Sequence, residues 1–143
     1  MTIFKPVGKE GPVSTEHRGF VPRDAEDAIA RELLRPQFAD NRESMILAGF
    51  DAFGRLTCLE RVDSGTPRRC AVPPRCWRAL IGERTVAAVM AHNHPSGTPW
   101  PSDADIAATH DSALFLRTAD VDLIDHLIFV ADGHFSFRTA EML

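Results

Sequence analysis

The sequence predicts an α/β fold, a layered domain with a mixed β-sheet packed by helices. A continuous apolar run, TVAAVMA from Thr85, has the mark of a strand covered on both faces. Segments of helical period alternate with strand-like ones around it, and one adjacent pair of strands reads as an antiparallel hairpin.

Each element has a local reason. Residues 1–21 lack periodicity and carry Pro6, Gly8, Gly11 and Pro12, so they read as a flexible leader ahead of one domain, residues 22–143. The stretch DAEDAIARELLRPQFAD opens with acids, keeps Ala25, Ala28, Ile29 and Leu33 near helical spacing, and is stopped by Pro36, which predicts a short amphipathic helix. Ser44–Phe50 and residues 55–61 form the hairpin, reversed at Gly54. Pro at a helix-start position predicts a second helix over residues 74–81, followed by the apolar strand, residues 85–94. A third helix runs from Ser102 to about Ala119 with Ile106, Thr109, Ala113 and Leu116 along one stripe. VDLIDHLIFV and the short HFSF close the chain as strands, with Asp132-Gly133 between them as a turn.

Length and composition bound the rest. A chain of 143 residues, 44% hydrophobic and 25% charged, can bury one core and is neither disordered nor collagen-like. No stretch approaches the roughly 20 apolar residues of a membrane span, and the start has no apolar core of signal-peptide length, so a cytoplasmic location and no membrane partner are expected. Cys58, Cys70 and Cys76 lack the paired spacing of a zinc ribbon or redox motif and read as reduced, mostly buried thiols. The net charge of −4 argues against a general nucleic-acid binder. Charge is uneven: residues 52–84 hold seven Arg against three acids, and residues 100–143 hold two Arg against eight. That pattern reads first as two solvated faces, and a basic surface for an acidic substrate is the alternative.

The chemistry is concentrated in HNHPSGTPWPSDAD, His92 to Asp105. A strand that ends His-x-His turns both imidazoles to one side, because side chains alternate with period two, and two neutral nitrogens can then share one cation. Asp105, in the first turn of the next helix, can supply a third, anionic ligand and leave one position open. Ser102-x-x-Asp105 is equally a capping-box start, so the pair carries a structural reading beside the ligand reading. His110, His17 and His134 read as solvent-facing.

These residues resemble the JAMM (MPN-type) metallopeptidase signature, and more closely its RadC-like branch, with His-Asn-His-Pro-Ser-Gly followed by Pro-Ser-x-x-Asp. DSGTPRRCAVPPRCWRALI before the block, and IDHLIF and HFSFRTAEML after it, extend the resemblance over nearly all of the chain beyond Pro22. It implies the JAMM/MPN fold, of cytidine-deaminase-like architecture, with Zn²⁺ held by His92, His94 and Asp105. It further implies Glu43, in RESMIL, as general acid/base and Ser102 as hydrogen-bond donor to the tetrahedral oxyanion. The implied reaction is hydrolysis of a peptide or isopeptide bond in a protein or peptide substrate. Taken without the resemblance, Glu43 reads as a solvated strand end. Asp125 and His126 match the family's Asp-His pair and read either as support for a ligand or as a satisfied core pair. RadC-like proteins commonly carry a helix-hairpin-helix module ahead of this domain, and these residues have no room for one, so nucleic-acid binding is not expected of this chain alone. The competing readings are a zinc deaminase, whose H-x-E and P-C-x-x-C motifs are missing here, and a non-catalytic interaction module or DNA-repair-associated protein.

Overall fold

The computed structural model describes residues 18–38, 41–63, 72–82 and 84–143. Among them the strands are β1 (Phe20–Pro22), β2 (Ser44–Phe50), β3 (Leu56–Asp63), β4 (Ala87–Asn93), β5 (Asp122–Val130) and β6 (Gly133–Ser136). The helices are α1 (Pro74–Leu80) and α2 (Asp103–Thr118), and a further helical segment, Ile29–Leu34, precedes β2. The strands form one sheet in the order β1-β6-β5-β4-β2-β3, with β4 and β5 parallel and the other pairs antiparallel. The mixed sheet is therefore present, and α2 is the crossover its parallel pair requires.

Alternation along the strands sorts the core into two layers. Ile46, Ala48, Phe50, Val89, Ala91, Leu127 and Phe129 meet Ala30 and Leu34 of the helical segment on one face. Met45, Leu47, Ala88 and Met90 meet Cys76 and Leu80 of α1 and Leu116 of α2 on the other. His92 has the parity of Ala88 and Met90, so β4 delivers it to the α2 face. Asn93 has the opposite parity.

A bulge in β5 does the same for His126. Ala88 pairs with Leu123 but Val89 pairs with Asp125, so Ile124 is the extra residue. One inserted residue reverses the facing of everything after it. His126, opposite Met90, therefore turns to the α2 face, and Asp125, opposite Val89, turns away from it.

Four sequence expectations change. The first helix is not a regular α-helix: Arg23–Ala25 is an isolated tight turn, and Ile29–Leu34 is a wide π-type turn that tightens over Arg35–Gln37. Pro36 cannot donate to Glu32, and the Arg35 N–H reaches back to Ala30 instead. The Asp27 carboxylate, which accepts from Ala30 N–H at 2.9 Å, holds the start. Phe20 and Val21, expected to be flexible, instead begin a strand, because Phe20–Pro22 pairs with β6. Gly19 makes that entry possible: at φ +91° it lies where a Cβ would come within 2.7 Å of Ala140. Residues 1–17 lie outside the described residues. The β5–β6 reversal falls on Ala131 and Asp132, since Val130 pairs with Gly133, whose backbone lies against Val21. Finally, His134 is buried rather than solvent-facing, with its Nδ1 2.8 Å from the Glu26 carboxylate.

Cys76 is buried and Cys58 half-buried, both as free thiols, and burial pushes the Cys58 thiol up. Cys70 and His17 lie outside the described residues. His110 is exposed, against the Met142 carbonyl. No helix among the described residues is long and apolar enough to cross a membrane.

Candidate metal centre

Four side chains from three elements meet on the α2 face. The end of β4 supplies His92, and His94 lies just beyond it, tied back to β5 by its N–H to the Phe129 carbonyl at 3.0 Å. The start of α2 supplies Asp105. Glu43 precedes β2, where the pairing of Met45 with His92 carries it alongside the histidines. Ligand atoms of Glu43, His92 and His94 all lie within 4.8 Å of one another. Asp105 faces the same histidines, with Oδ1 3.6 Å from His92 Nε2 and Oδ2 3.4 Å from His94 Nε2.

These separations suit a single ion. The two Nε2 atoms are 3.0 Å apart. Donors placed tetrahedrally at about 2.0–2.1 Å from one metal stand about 3.3 Å from each other, the spacing His92, His94 and Asp105 show. Each histidine also has its other nitrogen engaged. His94 Nδ1 is 2.8 Å from the Thr98 carbonyl, which can only accept, so Nδ1 carries the proton and Nε2 is a bare lone pair in the neutral ring. His92 Nδ1 is 2.8 Å from His126 Nε2.

Asp105 holds both of the roles its spacing allows. Its N–H donates to Ser102 Oγ at 3.0 Å while its Oδ2 accepts from the Ser102 N–H at 2.9 Å, a complete capping box. Burial raises its carboxyl, but the two imidazoles beside it, His92 and His94, outweigh that and hold it well below the usual carboxylate range. The cap therefore fixes an ionised carboxylate in front of two imidazoles. Burial pushes His94 down, and the Asp105 carboxylate and the Thr98 carbonyl more than reverse it, leaving that imidazole above its ordinary value. Ser102 accepts from Asp105 and keeps its own hydroxyl hydrogen to donate.

The remaining expectations separate. His126 joins the site through His92, whereas Asp125 does not: it binds Ser136 Oγ at 2.7 Å and the Arg138 N–H at 3.0 Å and anchors the closing stretch. Burial pushes the Asp125 carboxyl up and the His126 imidazole well down. Sequence reasoning missed Thr109, whose Oγ1 lies 2.6 Å from His126 Nδ1, and Asn93. The Asn93 amide accepts from the Ser44 N–H at 2.8 Å and donates to the Arg42 carbonyl at 3.0 Å. It thus grips the backbone on both sides of Glu43. A polar residue buried at the end of an apolar strand was the available signal. A cleft of about 260 Å³ opens beside His94, with Phe38, Asn41, Asn93 and Phe129 in its wall.

Comparison with known proteins agrees with this geometry. The model of the RadC-like JAB domain matches residues 23–142. A UPF0758 protein of Coxiella burnetii is 36% identical over 117 residues, 80% of this chain and 52% of that protein. Another, from Paraburkholderia xenovorans, is 37% identical over 107 residues, 74% of this chain and 40% of that protein. A third, from Herminiimonas arsenicoxydans, is 34% identical over 96 residues, 66% of this chain and 43% of that protein. The chain spans about half the length of the curated relatives it matches. With its fold, its His-x-His strand end and this match over residues 23–142, the chain belongs to the RadC-like JAB domain family.

Proposed function

We propose that the domain is a zinc-dependent peptidase of the JAMM type, hydrolysing a peptide or isopeptide bond in a protein or peptide substrate. One observation carries the reading: two imidazole Nε2 atoms 3.0 Å apart, facing an ionised carboxylate and a glutamate. Two bare lone pairs at that distance repel unless a cation or a proton lies between them. Two imidazoles with one carboxylate form a three-ligand set that suits zinc with one position open. His92, His94 and Asp105 would hold the ion, which when bound lowers the pKa of a water toward about 7.

The chain's own groups supply the rest of the reaction. Glu43, half-buried and gripped from behind by Asn93, takes a proton from the attacking water and delivers it to the leaving amine. Ser102 donates its free hydroxyl hydrogen to the tetrahedral oxyanion. The net charge of −4 directs the reading to a protein or peptide and away from duplex DNA.

Elemental analysis and a peptide and isopeptide panel test this together. Wild type should retain close to one zinc per chain, the double variant His92→Ala/His94→Ala none, and Glu43→Gln the metal with hydrolysis reduced by about 10²-fold or more. Equal zinc in wild type and the double variant overturns the reading.

A further inference from the structure

We propose that Thr109 is a positioning residue that decides which nitrogen of His92 is presented to the metal centre, acting through His126. Three contacts form one chain. Thr109 Oγ1 lies 2.7 Å from the Asp105 carbonyl and 2.6 Å from His126 Nδ1, and His126 Nε2 lies 2.8 Å from His92 Nδ1. All three side chains are almost wholly buried, so water does not offer alternative partners.

The chain has a direction. A carbonyl only accepts, so the single hydroxyl hydrogen of Thr109 must lie between Oγ1 and the Asp105 oxygen; pointed elsewhere, it would leave two acceptors facing each other. Thr109 Oγ1 is then an acceptor toward His126, and His126 Nδ1 carries a hydrogen. A neutral imidazole has one N–H, so His126 Nε2 is bare and accepts. His92 therefore donates from Nδ1, and its Nε2 is left as a lone pair facing His94 and Asp105. Phe137 stacks on His126 at 4.9 Å and 8°, which keeps the ring in the plane this chain requires.

The circuit closes on one residue. Asp105 faces the metal centre with its carboxylate and, through its main-chain carbonyl one helical turn below Thr109, sets the protonation of an opposing ligand. Thr109→Val keeps the shape of the side chain but removes the acceptor. The His126 hydrogen then gains a partner only on Nε2, where His92 Nδ1 can accept it, and the His92 hydrogen is driven to Nε2, in front of the metal.

Long-range proton–nitrogen spectra of the full chain, labelled at histidine and taken above the imidazole titration range, decide the matter. In the wild type both His126 and His92 should carry hydrogen on Nδ1, a result that needs no substitution. Thr109→Val should move both hydrogens to Nε2 and weaken zinc binding, measured by competition with a chelator, by about 10–100-fold. Thr109→Ser should restore both. A wild-type His126 with its hydrogen on Nε2 overturns the proposal, and so does a loss of zinc affinity in Thr109→Val without a change of tautomer. The affinity arm and the His92 hydrogen rest on the zinc reading and the His126 hydrogen does not: a wild type that binds no zinc removes that reading, while the nitrogen that carries the His126 hydrogen still judges this one.

Discussion

Asn93 lies between the two histidines of the candidate centre in sequence and faces the opposite side of the sheet, where its amide does what no carboxylate can. It accepts from one backbone group and donates to another, on either side of Glu43. Asn93→Asp keeps the shape and the acceptor but sets a second oxygen against the Arg42 carbonyl. Glu43 should lose its alignment, with turnover on a panel substrate falling by about 10²-fold while zinc content by elemental analysis stays at the wild-type level. Zinc lost along with activity would show that Asn93 supports β4 rather than Glu43. At this scale His92, His94 and Asp105 were legible from spacing, because a strand of period two and a helix start each dictate where a side chain points. Asn93 and Thr109 were not, since their partners are backbone groups or side chains distant in sequence.

Elements set the directions of these residues, and the sequence-based reading missed the irregular ones. The hairpin, β4 and α2 have regular periods and stand within a few residues of expectation. The bulge at Ile124 has no periodic signature, yet it decides that His126 rather than Asp125 faces the site. The wide turn at Ile29–Leu34 was hidden for the same reason, and a buried ion pair holds it in place. Glu26 binds Arg35 and His134, and Arg35 also donates to the Val130 carbonyl at 2.9 Å, so the helical segment is fastened to the β5–β6 turn. Glu26→Ala should cost about 3–5 kcal/mol, because it leaves the Arg35 charge buried without its partner. Burial raises the Glu26 carboxyl, but its bonds to Arg35 and His134 outweigh this and leave it below the ordinary glutamate value. A depressed carboxyl stabilises the fold above its unfolded pKa, about 4.3, and that contribution fades as pH falls through the folded value. The Tm gap between wild type and Glu26→Ala should therefore be full near neutrality and narrow on acidification; a gap independent of pH would mean the charge is not what Glu26 contributes. Ser102→Ala, which removes the cap of α2, should cost about 1 kcal/mol in chemical denaturation.

Over the whole molecule the candidate centre is a junction rather than a loop decoration. Glu43 leads β2, His92 and His94 end β4, Asp105 starts α2, and His126 lies on β5 behind them, so the groups bind to one another elements that are separated by long stretches of chain. An ion bound there ties the start of the crossover helix to the end of its parallel strand, and it binds only the folded form. Ligand linkage then fixes the expected size of the effect: free zinc at 100 times its Kd adds about 2.7 kcal/mol, which for a domain of this size raises Tm by about 10 °C. Melting curves of metal-stripped protein, with zinc added back and then removed by chelator, should show that rise and its reversal. The double variant His92→Ala/His94→Ala should melt at one temperature in all three conditions, while Glu43→Gln should respond as wild type does, because the proposed reaction turns Glu43 toward the water and not the ion. A wild-type curve that zinc leaves unmoved would sever the metal from the fold, and a double variant that still responds would place the ion elsewhere in the chain.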